Sequence, residues 1–235
     1  MSGLQERDLP PVPLAAVEIT AELASRTPRA RDAAAEAAAL ITIFQALAEP
    51  VATAYRAIVD AALRLCRGGS AGISLVDHQG GEARVYWPAL AGAVAEQLRG
   101  TVPVECIPCS AALANDSAVL LRDPARHFTV LAGLEPAIAE ALVSPLRVDG
   151  VPIGTLWIMA HDPAHRFDAE DARLLESLAT AAAAVFRQGR AERAHAEALA
   201  AQRTLDAIME HLPEGLTIAD APDVTIRRVS RYGQE

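Results

Sequence analysis

Two apolar runs around a tight-turn dipeptide form the strongest pattern in the chain. Within residues 141–160 the runs ALVSPLRV and VPIGTLWIMA flank Asp149-Gly150. Asp-Gly favours a two-residue turn with positive φ angles, so the pattern predicts an antiparallel β-hairpin at the centre of a sheet. Pro145 and Pro152 each remove a ladder donor, which places them at strand starts, bulges or non-bonding positions.

Apolar residues recur at helical spacing in the first quarter of the chain. Residues 1–12 are polar and proline-rich, and we expect them to be disordered or loosely attached. The pattern after them predicts three helices, over residues 14–26, over 30–49 and from Pro50 to near Gly68.

Strand patterns follow these helices. The runs SAGISLVD (Ser70–Asp77) and ARVYWP predict a second hairpin around a turn at residues 79–81. The shorter elements expected before residue 141 are a helix over 91–98, a largely irregular segment over 100–117, a strand over 118–121 and a helical turn over 135–140.

A long helix is predicted after the main hairpin. Asp168 is a good N-cap with Asp171 three residues on, and no strong breaker follows before about Leu212. Helices of this length usually bridge domains or pair in a coiled coil. The predicted seam between two copies of this helix consists of Leu178, Val185 and Leu199.

The chain changes character from Pro213 onward. The runs LTIAD and VTIRRVS have strand-like patterns, but so short a segment cannot bury a core by itself. Either these runs pack on the preceding domain or they begin a further one.

Composition limits the classes of function. The 235 residues allow one sizeable domain with extensions or two small domains. A content of 51% hydrophobic but only 4% aromatic residues indicates closely packed, alanine-rich helices. A net charge of −9 argues against a nucleic-acid surface or an anionic membrane face. No apolar run approaches the roughly 18 residues of a membrane span, and no signal peptide is visible. Three cysteines fit a reducing compartment, so we expect a cytoplasmic location.

Several motifs together resemble a GAF domain of the kind found in bacterial sensor histidine kinases. They are SAGISLVD, the segment Ile107-Pro108-Cys109-Ser110 with Ala112-Leu113, RDPARHF (Arg122–Phe128), Gly154-Thr155-Leu156-Trp157 and AHDPAHRFDAEDARLLESLA. The resemblance implies an α+β fold, with an antiparallel sheet of about six strands flanked by helices and a small-molecule pocket.

The tail is similar to the opening of a PAS domain, through HLPEGLTIAD and the run after it. The resemblances divide the chain into an N-terminal extension with helices (1–49), a GAF domain (50–187), a signalling helix or coiled-coil linker (188–212) and the truncated start of a PAS domain (213–235).

Candidate chemistry is sparse outside the expected pocket. The pocket-wall residues implied by the resemblance are Tyr86, Trp87, Cys109, Arg122, His127 and Trp157. Cys106 and Cys109 form a CxxC pair, for which structural thiols are favoured over a redox pair, and a redox pair over a metal site, since zinc needs about four ligands. No nucleophile with an adjacent base, phosphate-binding loop or paired carboxylates stands out, so no catalytic residue, metal or cofactor is predicted.

The function predicted from these features is regulatory. The chain is expected to be the sensory region of a cytoplasmic signalling protein, with a small-molecule or redox input and a parallel homodimer that passes the signal to PAS and kinase domains. Two alternatives stay open: a thiol-dependent reductase similar to free methionine sulfoxide reductases, in which Cys109 would act, and a pure dimerisation module.

Overall fold

Six strands form one antiparallel sheet in the computed structural model, which describes residues 11–78, 81–211, 217–220 and 225–229. The strands are β1 (Ser70–Asp77), β2 (Arg84–Gly92), β3 (Thr101–Pro103), β4 (Val119–Arg122), β5 (Glu140–Val148) and β6 (Val151–Ala160). Their spatial order is β3-β2-β1-β6-β5-β4, and each neighbouring pair is antiparallel. Strands β1 and β6 therefore lie at the centre.

Helices accompany this sheet and complete the predicted α+β fold. They are α1 (Glu22–Ser25), α2 (Ala33–Ala46), α3 (Val51–Leu65), α4 (Cys109–Asn115) and α5 (Ala169–His211). Among the described helices, none has a stretch that is both long and apolar enough to cross a bilayer.

The chain divides into two compact units, Met1–Arg187 and Gln188–Glu235. The first contains the six-stranded sheet. In the second, β7 (Thr217–Asp220) pairs antiparallel with β8 (Thr225–Val229), within the two runs predicted as strands. The rest of the predicted PAS-like tail, the first ten residues and most of the predicted turn at 79–81 lie outside the described residues.

The main hairpin forms as its turn dipeptide predicts. Asp149 and Gly150 join β5 to β6 with φ angles of 53° and 80°. The register of this strand pair shifts between Leu146 and Arg147, and Arg147 pairs with Pro152. Pro152 therefore lies beside an irregularity, as predicted for these prolines. Further along β6, a Cβ at Gly154 would collide with the Ser74 carbonyl, which explains a glycine in a central strand.

Both faces of the sheet are buried, and successive residues of each strand alternate between them. Ile73 and Ile158 belong to a core that also contains residues of α3 and α5. Trp157 and Met159 belong to a second core on the opposite face, with α4 and the loops around it. Each face therefore has its own set of covering elements.

The N-terminal segment differs from the predicted helix over residues 14–26. The Ile19 amide donates to the Leu120 carbonyl, and the Arg122 amide donates to the Val17 carbonyl, both at 2.8 Å. The segment thus runs along the exposed edge of β4, and only 3₁₀ and α-helical turns form on either side. Pairing with an open sheet edge outweighs the local helix preference here.

Two further helical predictions are wrong. Residues 93–97 form turns, and the segment before β5 is not helical, with β5 itself starting at Glu140. The Gln97 side chain donates to the Glu135 carbonyl and accepts from the Glu135 amide. These contacts between loops replace backbone hydrogen bonds that a helical turn would have made.

The start of α5 confirms the predicted capping. The amides of Glu170 and Asp171 donate to Asp168 Oδ1 at 2.8 and 3.1 Å, and the Asp168 amide donates to Asp171 Oδ2 at 3.0 Å. This reciprocal pattern satisfies free amides at the helix start. The helix then continues for 43 residues, close to the predicted length.

The predicted dimer seam on α5 needs correction for two of its three residues. Leu178 and Val185 are only 2% and 1% exposed, because they pack into the core of their own domain. Their recurrence along the helix reflects packing within one chain. Of the three predicted seam residues, Leu199 is the exposed one, at 39%, and its place in a dimer seam stays a prediction.

This assignment predicts the effect of truncating these leucines. We expect Leu178→Ala to lower the free energy of unfolding by about 2–5 kcal/mol, since it leaves a cavity in the core. Leu199→Ala, in the same helix, should change it by less than about 0.5 kcal/mol. Urea unfolding followed by circular dichroism measures both. A Leu178→Ala protein of unchanged stability that fails to associate would instead support the original seam.

Candidate ligand-binding site

A cavity of about 20 Å³ lies on the α4 side of the sheet. That volume holds about one water molecule, so side chains nearly fill the site in this conformation. Only Trp87 and Val130 among its walls are half-buried, which places its outer side there. Its walls are Ser74, Trp87, Leu98, Ile107, Pro108, Cys109, Val130, Leu131, Val143, Trp157 and Met159.

Helix α4 brings Cys109 to this cavity. The helix lies in a segment that was expected to be irregular, and the signal for it was Pro108 before an alanine-rich run. The Ser110 hydroxyl donates to the Ile107 carbonyl at 2.9 Å in the first turn. Asp116 ends the helix in the left-handed region with a φ of 47°.

The buried polar groups at the cavity bond to one another. Trp157 Nε1 donates to Ser74 Oγ at 2.9 Å, and the Thr155 hydroxyl lies 3.0 Å from Cys109 Sγ as a donor. Ser74 and Thr155 are register partners on the central strands β1 and β6. Sequence reasoning missed both hydroxyls, although a polar residue inside an otherwise apolar strand run was a usable signal.

Burial controls the chemistry of the Cys109 thiol. Removal from water raises the pKa of Cys109 above its ordinary value, against the opposing effect of hydrogen bonds from Ser74 and Thr155. The group is therefore a protonated thiol at neutral pH. Protonated, buried thiols are poor nucleophiles.

Three of the six predicted wall residues line the cavity: Trp87, Cys109 and Trp157. Tyr86 does not, because neighbouring residues on a strand point to opposite faces. Its side chain packs against the core on the α3 side of the sheet. Tyr86 and Trp87 could not both have faced one pocket.

Arg122 and His127 also lie away from the cavity walls, and both contact the N-terminal segment. Arg122 Nη2 is 2.6 Å from Glu22 Oε2 and 3.8 Å from the buried Glu140. The Nδ1 atom of His127 donates to the Val12 carbonyl at 2.6 Å. The RDPARHF motif thus attaches the N-terminal segment to the domain.

The three cysteines, all within the described residues, are thiols in different surroundings. Cys66 and Cys109 are buried in opposite cores, whereas Cys106 is exposed. A redox pair of Cys106 and Cys109 stays a prediction. Across the part of the chain that the structure describes, no group of three His, Cys, Asp or Glu side chains is arranged to hold a metal ion.

A serine–histidine contact forms that sequence reasoning did not anticipate. Ser70 Oγ lies 2.8 Å from His161 Nε2, and His161 Nδ1 lies 3.1 Å from the Ala137 carbonyl. A carbonyl only accepts, so Nδ1 carries the proton and Nε2 accepts from the hydroxyl. Ser70 is fully buried and also accepts from the Val94 amide, so this contact joins structural elements rather than presenting a nucleophile.

Thiol accessibility gives a direct test of these surroundings. With a thiol-specific reagent such as DTNB, we expect one fast reaction from Cys106 and two slow ones, because burial raises the pKa of both Cys66 and Cys109. Cys106→Ser should remove the fast phase. Loss of the fast phase in Cys109→Ser would contradict the placement of that thiol.

Comparison with known proteins agrees with the fold. The GAF domain family profile matches residues 48–187, and the chain belongs to that family. None of the curated proteins compared with the chain matched it.

Solved structures share the architecture at low sequence identity. A GAF domain of a phosphoenolpyruvate-protein phosphotransferase from Coxiella burnetii is 21% identical, with a TM-score of 0.57 over 70% of this chain and 99% of that one. A free methionine-R-sulfoxide reductase from Neisseria meningitidis, solved with its substrate, is 22% identical, with a TM-score of 0.56 over 71% and 97%. At such identities the likeness shows the fold alone.

Proposed function

We propose that this chain is a regulatory sensor region whose GAF domain binds a small, uncharged, largely apolar molecule beside Trp87 and Trp157. The observation that carries the proposal is the cavity wall, in which none of the described lining residues bears a charge. Sites for small molecules are commonly apolar with a few placed polar groups. The polar side chains of this wall are Ser74 and Cys109, and Ser74 already accepts from the Trp157 indole.

The uncharged wall determines which ligands the cavity accepts. A carboxylate, phosphate or ammonium would lose its hydration there without a charged partner, which costs several kcal/mol. An aromatic or aliphatic body would instead stack on the two indole rings. Because the cavity measures only about 20 Å³ as it stands, binding requires its walls to move outward.

Movement of these walls has a route to α5 within the first unit. Trp157 faces the cavity, while its strand neighbour Ile158 packs in the core that contains Leu174, Leu175 and Leu178 of α5. A ligand that favours one position of β6 thereby favours one packing of the helix, as a shift between two populations. We propose that α5 passes this shift to a following PAS segment and kinase domain in a parallel homodimer.

The reductase alternative is disfavoured by two properties of the same site. Its chemistry needs a thiolate, and burial raises the pKa of Cys109. Its amino-acid substrate carries two opposite charges, for which the cavity wall offers no partner. Both observations support a binding role over a catalytic one.

The small cavity volume favours a second candidate function. A GAF domain whose pocket takes no ligand would serve as a dimerisation module. A cavity that side chains nearly fill is what we expect for such a domain. The two functions differ in whether the walls open for a probe molecule.

Tryptophan fluorescence separates these functions, because both tryptophans of the chain line the cavity. We expect cyclohexanol to give a saturable change in emission. The charged analogues cyclohexanecarboxylate and cyclohexylammonium match it in size, and they should give none up to the same concentration. A saturable response to a charged analogue would contradict the proposed ligand class.

A pair of valine substitutions controls the experiment. Val143→Phe fills the cavity and should abolish the response to cyclohexanol, at a cost of about 1–3 kcal/mol in stability. Val151→Phe, at a position 61% exposed, should leave the response intact. No response to any probe in the wild-type chain would favour the dimerisation module.

A further inference from the structure

A second concave site lies among the helices of the first unit. It is an open groove of about 420 Å³, bounded by the segment before α2, the end of α3 and the first two turns of α5. Its charged residues are Arg29, Asp32, Arg64, Arg67 and Glu170. None of them lines the cavity at Trp157, so the two sites are separate.

Two arginines at the end of α3 have no partner among the described residues. The side chains of Arg64 and Arg67 are exposed, and neither forms an ion pair or side-chain hydrogen bond with that part of the chain. Both line the groove. They provide unpaired guanidinium groups on a protein whose net charge is −9.

Arg67 also has an unusual backbone conformation at the end of α3. Arg67 has a φ of 53°, and the following Gly68 amide donates to the Leu63 carbonyl at 3.1 Å. This is the Schellman end of a helix, in which the left-handed position normally holds glycine. Here an arginine occupies that position, although a side chain is conformationally disfavoured there.

The carboxylates of the groove are already occupied. Asp32 caps α2 by accepting from the Ala35 amide at 2.9 Å, and Glu170 is paired with Arg173 at 2.8 Å. Arg29 pairs with Asp171 at 2.6 Å, but its buried Nε has no partner within the described residues. The groove therefore offers unused donors and an excess of positive charge.

From these features we infer that the groove binds a small organic phosphate. Guanidinium groups match the oxygen geometry of phosphate and can bond to it through two donors. Leu65 and Leu174 provide apolar surface for the organic part, and the volume lies in the usual range for small-molecule sites. Because Glu170 and Leu174 belong to α5, the ligand would contact the helix that we propose as the output element.

Phenyl phosphate is a suitable probe, with binding to the full chain measured by calorimetry at fixed ionic strength. We expect saturable binding of one molecule per chain. Arg67→Gly and Arg64→Gln should each weaken it by about tenfold or more. Arg67→Gly should not lower the melting temperature, since glycine suits the positive φ, so weaker binding would not reflect unfolding.

Two controls separate a site from general charge attraction. Arg99→Gln makes the same charge change at an exposed residue outside the groove and should leave binding unchanged. Inorganic phosphate should bind more weakly than phenyl phosphate, because it leaves the apolar surface uncovered. The inference is overturned by an absence of saturable binding, by equal weakening in Arg99→Gln, or by unchanged binding in Arg67→Gly.

The test of phosphate binding in the groove does not depend on ligand binding in the cavity at Trp157. The Arg67→Gly variant should still show the change in tryptophan emission with cyclohexanol, because both tryptophans lie at the other site. If Arg67→Gly lost both this response and the binding of phenyl phosphate, the phosphate would belong in the first cavity. That result would overturn the inference of a separate site in the groove.

Discussion

Burial of the six-stranded sheet on both faces is the constraint on which the rest of the first unit depends. Each strand must supply apolar side chains in both directions, and each face needs its own cover. Helices α3 and α5 cover one face with aliphatic residues, about half of them alanines. The other face is covered by the short α4 and by loops, whose less regular packing leaves the cavity at Trp157. Strand β6 contributes side chains to both cores, so the cavity and the long helix α5 lie against opposite faces of the same strand.

The buried polar side chains around the cavity bond to one another and leave the cavity surface apolar. Ser74 and Thr155 occupy central strand positions without access to water, and their hydroxyls find the Trp157 indole and the Cys109 sulfur. A buried hydroxyl without a partner would cost free energy, so these contacts stabilise the packing around the cavity. The thiol is held in place by the same contacts and kept protonated by burial. These properties fit the proposed recognition of shape and apolar surface better than thiol chemistry.

Features with local causes could be predicted from the sequence, whereas features set by distant contacts could not. The Asp149-Gly150 turn and the Asp168 cap depend on residues within a few positions, and both form as predicted. Arg122 was misplaced because its partner Glu22 lies 100 residues away in sequence. Leu178 and Val185 have the spacing of both a coiled-coil seam and a buried helix face, and periodicity alone does not distinguish the two. For Tyr86 and Trp87, strict alternation along the strand would have allowed only one of them in the wall.

We propose that the site at Cys109 binds a ligand and does not react with one. Turnover of free methionine sulfoxide, with dithiothreitol as the reductant, tests it most directly when the wild-type chain and Cys109→Ser are compared. We expect the same background rate for both proteins, since a buried, protonated thiol among uncharged walls lacks the means to hold and attack that substrate. Turnover by the wild-type chain that Cys109→Ser abolishes would contradict the binding role and establish a thiol-dependent reductase.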